Sequence, residues 1–94
     1  MDAEVTDNKS QRRFELPLPD GEIAAAYYRV DDEGRLVLIH TEVPYEFGGQ
    51  GIATRLATGT FDLVRRSGGK VVLRCPFMGN FFRKHPEYAD IVAG

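Results

Sequence analysis

The run Pro44-Tyr45-Glu46-Phe47-Gly48-Gly49-Gln50-Gly51-Ile52-Ala53-Thr54 joins an apolar stretch to an amphipathic one through a turn with three glycines. Such a turn suits anion binding. Glycines at 48, 49 and 51 permit backbone conformations and close approaches that a Cβ would block, so several amide N–H groups can converge on one phosphate. A helix starting behind the turn adds its own unpaired N–H groups and positive dipole end. Spacing then removes two common phosphate binders. A Walker A loop needs Lys followed by Ser or Thr after its last glycine, whereas Gly51 is followed by Ile52-Ala53. A dinucleotide fingerprint through Gly49 and Gly51 puts Thr54 where close helix packing needs Gly or Ala, and only one strand is left after the helix to build its sheet.

The elements around this turn follow from periodicity. Val5 to Asn8 and Arg12 to Leu16 read as a hairpin about Asn8-Lys9-Ser10, and Pro17-Leu18-Pro19-Asp20-Gly21 breaks the chain before a third strand, Glu22 to Val30. Asp31-Asp32-Glu33-Gly34 turns into a fourth, Arg35 to Val43, whose continuous run Leu36-Val37-Leu38-Ile39 marks a central strand. Regular alternation there puts Leu38, His40 and Glu42 on one face and Val37, Ile39, Thr41 and Val43 on the other. From Ile52 the period becomes helical, with Ile52, Ala53, Leu56, Ala57, Leu63 and Val64 on one side and Arg55, Thr58, Asp62, Arg65 and Arg66 on the other. Ser67-Gly68-Gly69 stops this helix of about four turns. Lys70 to Arg74 forms a last strand entering Cys75-Pro76-Phe77, and Gly79 to Lys84 a short second helix that ends before His85-Pro86.

Composition bounds the rest. The 94 residues make one domain spanning 1–94, with 43% hydrophobic and 28% charged residues. A net charge of −2 argues against a general nucleic-acid partner. The longest apolar run, Ile23 to Tyr28, is too short to cross a bilayer, and the acidic, polar start of the chain (Asp2, Glu4, Asp7) does not read as a leader, so no membrane role is expected. Cys75 is the one cysteine, which excludes an internal disulfide and a thiolate metal cluster. A reducing, cytoplasmic setting with no metal is the expectation.

At these residues the chain resembles the Gcn5-related N-acetyltransferase superfamily, whose pyrophosphate loop reads Arg or Gln, two residues, Gly, one residue, then Gly or Ala. Glu46-Phe47-Gly48-Gly49-Gln50-Gly51 matches except at its first position. His40-Thr41-Glu42-Val43-Pro44, Gly49-Gln50-Gly51-Ile52-Ala53, Cys75-Pro76-Phe77 and Lys84-His85-Pro86-Glu87-Tyr88 look like the small single-domain branch of that superfamily, in which an acidic residue at the position of Glu46 is usual. Glycine at 48, where a basic residue is common, removes one phosphate contact. The implied fold is α+β, a three-layer arrangement in which an antiparallel four-stranded meander precedes one βαβ unit, its last strand parallel and splayed, with short C-terminal helices.

The implied activity is transfer of an acetyl group from acetyl coenzyme A to an amine. The resemblance lays the pantetheine arm between Thr41-Glu42-Val43 and Arg74-Cys75, with an N–H near Val43 polarising the thioester carbonyl. It puts the diphosphate on amides from Gly48 to Ala53, including Gln50, Gly51 and Ile52. Arg55, Arg83 and Lys84 are candidates for outer phosphate contacts, and Asn80 and His85 for steadying the cofactor. A lysine amine, with a pKa of about 10.4, must lose its proton before attack, and His40 or Glu42 can take it. Cys75, with a thiol pKa near 8.5 unless neighbours lower it, is a candidate nucleophile for an acetyl-cysteine intermediate. Each has a structural alternative: a packed histidine, a solvated carboxylate, a small buried residue beside the cofactor sulfur, a helix cap for Asn80, a surface histidine for His85. Tyr27-Tyr28 and Phe81-Phe82 read as core, and Arg12-Arg13 and Arg65-Arg66 as solvated charge. With room only for strands before Arg35, the acceptor side should be open and suit a peptide terminus, a protein lysine or a polyamine. A monomer or weak dimer is expected. A coenzyme A-binding module with little transferase activity is the main alternative, and a redox-active thiol a weaker one.

Overall fold

A computed structural model describes residues 4–49 and 51–94. Strands β1 (Thr6–Asn8), β2 (Arg13–Pro17), β3 (Ile23–Val30) and β4 (Leu36–Glu42) lead to a 3-10 turn at Tyr45–Phe47 and helix α1 (Ile52–Ser67). Strand β5 (Val71–Leu73), helix α2 (Pro76–Lys84) and a 3-10 segment at Pro86–Ile91 complete the chain. The sheet runs β1-β2-β3-β4-β5, antiparallel except for the parallel β4–β5 pair. The α+β class and the parallel final strand are those expected. Residues 92–94 continue beside β5, where Val92 bridges to Val71 and the Leu73 N–H donates to the Gly94 carbonyl at 2.7 Å.

One apolar cluster joins sheet and helices. Phe14, Leu16, Ala24, Ala26, Tyr28 and Leu38 from the strands meet Leu56, Phe61 and Val64 of α1, Met78 and Phe81 of α2, and Tyr88 and Ile91 beyond them. Phe61 sits at its centre, edge-on to Phe81 at 5.2 Å and to Tyr88 at 5.1 Å. All helical segments therefore pack with the same sheet face, giving two layers among the described residues where the resemblance implies three. Among the described residues no helix precedes β4 to cover the other face.

Two local departures matter for function. The β3–β4 register pairs Tyr27 with His40 but Tyr28 with Leu38, which leaves Ile39 as an extra residue, a β-bulge. Alternation breaks there, so the expected face assignment fails: Thr41 pairs with Ala26 on the helix side with Leu38, while His40 and Glu42 pair with Tyr27 and Ala25 on the opposite face. The second is α2, which starts at Pro76 rather than Gly79. Proline fits the first helical position, where its fixed φ is already helical and no N–H is needed. Asn80 thus lies inside the helix and cannot cap it.

Candidate active site

The β4–β5 pairing covers only Leu36↔Val71, Val37↔Val72 and Leu38↔Leu73, closed by Arg74 and Cys75 N–H groups that both donate to the Leu38 carbonyl. Beyond Leu38, β4 continues to Glu42 while the chain after β5 turns into α2, and the two strands part. At the floor of this split Thr41 Oγ1 and Cys75 Sγ lie 3.3 Å apart. Cys75 is buried and is the N-cap residue of α2.

Beside the split, Val43, Phe47, Gly48, Gly49, Gly51, Ile52, Ala53 and Thr54 line a hollow of about 230 Å³ at the N-terminal end of α1. Gly49 and Gly51 have φ of 81° and 74°, the left-handed region in which side chains are strained. The space a Cβ would take at either position is open. With the unpaired N–H groups of the first turn of α1, this is a cradle that fits a diphosphate. Gly48, Gly49, Gly51, Ile52 and Ala53 are therefore together as expected, and Gln50 falls outside the described residues. Glu46 is expected here too, but it lines the neighbouring groove instead.

That groove, about 780 Å³, lies on the open face of the sheet and is lined by Arg13, Glu22, Tyr27, His40, Glu42 and Glu46 among others, with Val43 common to it and the glycine hollow. His40 Nε2 and a Glu42 carboxylate oxygen are 3.0 Å apart, and the imidazole stacks on the Tyr27 ring at 6.0 Å. A carboxylate only accepts, so the contact keeps a proton on Nε2 and leaves Nδ1 to take another. Tyr27 is thus not core, unlike Tyr28. The Tyr28 hydroxyl donates to Asp7 at 2.7 Å, and burial first, then that bond, pushes its pKa up to about 12. Arg13 is tied to Glu15 at 2.5 Å and to the Tyr27 hydroxyl at 3.3 Å, and with Asn8 it holds the Glu15 carboxyl below its usual range.

The remaining candidates have local partners of their own. Asn80 accepts a hydrogen bond from Arg83 along the exposed side of α2, and His85 stacks on Phe81 at 4.3 Å with its Nδ1 3.3 Å from Glu87. These contacts hold three of the expected cofactor residues within α2 and the segment after it, and Lys84 ends the same helix. Arg65 is also no mere surface charge: it binds Asp90 and the Glu87 carbonyl and lies over the Tyr88 ring at 4.7 Å. Sequence reasoning missed Tyr27 and Glu22 as groove residues. The charged and polar positions of β3 and the turn before it were the available signal.

Comparison with known proteins agrees with this geometry. A family described as GCN5-related N-acetyl-transferase matches residues 13–91. Protein NATD1 of Danio rerio is 30% identical over 89 residues, covering 92% of this chain and 81% of that protein. The NMR solution structure of a GCN5-like protein from Staphylococcus aureus shares the fold, with a TM-score of 0.72 at 24% identity over 99% of this chain and 90% of its own. No helix among the described residues is long and apolar enough to cross a membrane. The split after Leu38, the glycine cradle beside it and a family match over most of the chain identify this protein as a member of the GCN5-related N-acetyltransferase family, and thus as an N-acetyltransferase domain.

Proposed function

We propose that the chain moves an acetyl group from acetyl coenzyme A to an amine entering from the open face of the sheet. The observation that carries this reading is the parting of β4 and β5 after Leu38, with the glycine hollow where α1 begins and the His40–Glu42 pair on the neighbouring open face of β4. Acetyl coenzyme A supplies the acetyl thioester. Gly48 to Ala53 hold its diphosphate, and backbone groups of Thr41 and Val43 orient its arm. Glu42 fixes the His40 tautomer, and His40 Nδ1 accepts the proton of the attacking amine. As the C–N bond forms the C–S bond breaks, the thiolate leaves, and the proton on His40 is available to neutralise it.

An acceptor screen over peptides, polyamines and amino acids, reporting free thiol, tests this. At least one amine should raise thiol release well above hydrolysis. If none does while coenzyme A still raises the melting temperature, the protein is a binding module. ATP or NAD stabilising in its place would overturn the ligand assignment.

A second reading is favoured by the Cys75 thiol at the N-terminal end of α2, 3.3 Å from Thr41 Oγ1. There Cys75 Sγ bonds to the acetyl carbonyl carbon as the C–S bond to coenzyme A breaks, the leaving thiolate taking up the Cys75 proton; the amine then attacks the acetyl-cysteine, its proton passes to His40, and Cys75 leaves as the thiolate. Intact mass under rapid quench distinguishes the routes: an added acetyl group, absent in Cys75→Ala, supports the intermediate, and full turnover by Cys75→Ala eliminates it.

A further inference from the structure

We propose that a second ligand site lies where α1 ends over the sheet, and that it takes a small monocarboxylate with an apolar body. The cavity there has a volume of about 630 Å³, within the roughly 300–1,000 Å³ of small-molecule sites. It shares no lining residue with the glycine hollow or the open-face groove. Val64 in its wall is about 18 Å along α1 from Ile52 at the cradle. The wall is largely apolar, with Phe14 and Tyr28 from the sheet, Leu36 at the start of β4, and Leu63 and Val64 from α1. Val30, one of three large hydrophobic side chains exposed among the described residues, also lines it. Charge in the lining comes from Asp7, Lys9 and Arg12. Asp7 is already engaged by the Tyr28 hydroxyl at 2.7 Å and by Lys9 at 3.6 Å. Two cations less one carboxylate leave a single positive charge, which complements a monoanion.

Arg12 is the residue that points to a ligand. Glycines apart, it alone among the described residues has a positive φ, 53°. It closes the turn between β1 and β2, where its N–H donates to the Lys9 carbonyl at 3.3 Å. Glycine or asparagine takes that conformation with less strain, and strain of this kind is kept where a side chain has a task. Yet no described residue gives the Arg12 guanidinium a hydrogen bond or an ion pair. Its charge is near enough to the Tyr28 hydroxyl to oppose the rise in pKa that burial, then Asp7, impose there. The planar guanidinium matches a carboxylate through two parallel N–H donors. A carboxylate held by Arg12 lays its apolar body against the wall and takes Val30 out of water.

Calorimetric titration of octanoate, octylamine, 1-octanol and butanoate into the full chain, with and without coenzyme A, tests this. Octanoate should bind tighter than octylamine and 1-octanol by roughly tenfold or more, the measure of a charged hydrogen-bonded pair. Butanoate should bind more weakly than octanoate, because it leaves most of the apolar wall uncovered. Arg12→Asn should abolish the preference for octanoate over 1-octanol while melting no lower than the parent, since asparagine adopts the left-handed region readily. Lys9→Gln, at a side chain that is almost fully exposed, should reduce the same preference without touching the turn. Coenzyme A should leave octanoate affinity unchanged. Equal affinity for octanoate and 1-octanol, a preference unmoved by Arg12→Asn and Lys9→Gln, or displacement of octanoate by coenzyme A overturns the proposal. None of these outcomes bears on the transferase reading, which the acceptor screen decides.

Discussion

The two faces of one sheet are built to opposite rules. On the helix side Phe14, Leu16, Ala24, Ala26, Tyr28 and Leu38 are buried against α1 and α2. On the other, Asn8, Arg13 and Glu15 form a hydrogen-bonded group, Arg13 reaches the Tyr27 hydroxyl, Tyr27 stacks on His40, and His40 meets Glu42. A short chain cannot enclose both faces, so the core is concentrated on one, and polar groups on the other remain open to an incoming molecule. The bulge at Ile39 is where β4 passes between these regimes. It keeps Thr41 on the side of Cys75 while turning His40 and Glu42 outward, so the candidate thiol and the candidate base approach the split from opposite faces.

The largest test of this division is a pair of truncations. Phe61→Ala removes the ring at the centre of the helix-side cluster and should cost about 3–5 kcal/mol, read as a lower denaturant midpoint. His40→Ala should leave that midpoint nearly unchanged and instead lower kcat about 10²–10⁴-fold. Substantial unfolding by His40→Ala would show that the open face carries stability after all, and an unaltered rate would remove His40 from the chemistry.

A smaller effect is expected at the boundary between the regions. Gly51→Ala places a Cβ on a residue with φ 74° and should cost about 1–2 kcal/mol in stability. Acetyl coenzyme A affinity should fall as well, because the substituted backbone is pressed toward a conformation that turns its amide from the hollow. Calorimetric titration that finds full affinity would separate the glycine turn from the diphosphate.

These outcomes depend on features that the sequence shows unequally. Helix α1 was legible because its apolar positions recur at helical spacing and Gly68 caps it with N–H bonds to Arg65 and Val64. Phe61 and Thr60, buried in that same helix, were not assigned to its inner face. The glycine turn was legible because its chemistry is carried by consecutive residues. His40 and Glu42 were found as residues but placed on the face of Leu38, because alternation assumes an unbroken ladder. The bulge is a matter of register between two strands, and no residue of β4 announces it. Asn80, Arg83 and His85 were read from a motif, yet their partners depend on how α2 meets the segment after it. Likewise Glu22 and Glu46 come together only through pairing of distant strands.

The faces should also titrate differently in alkali. Tyr28 and Tyr88 are both buried, with hydroxyls bonded to Asp7 and Asp62, and burial first, then those bonds, raises each to about 12. A raised folded pKa means that the stabilisation is complete below the unfolded value near 10 and is lost as pH rises through 12. Ultraviolet phenolate absorbance should therefore show two tyrosines ionising late, together with loss of folded signal above pH 10. Phenylalanine at both positions should remove the late step.

The smallest effect belongs to the open face at low pH. Arg13, then Asn8, lowers the Glu15 pKa, so this carboxylate stabilises the fold above its unfolded value near 4.3, and the contribution is lost as pH falls through the lower folded value. Both side chains are partly solvated, and salt screens them. Arg13→Gln should accordingly lower the neutral-pH midpoint slightly, by the small contribution that Glu15 makes there, and leave stability below the folded Glu15 value unchanged, so that the acid limb flattens. It also frees the Tyr27 hydroxyl from its guanidinium partner without touching the ring that stacks on His40. If the variant instead lowers stability at neutral pH as much as Gly51→Ala does, the polar ladder is a structural element in its own right, and the division between a stabilising face and a reactive face is too sharp.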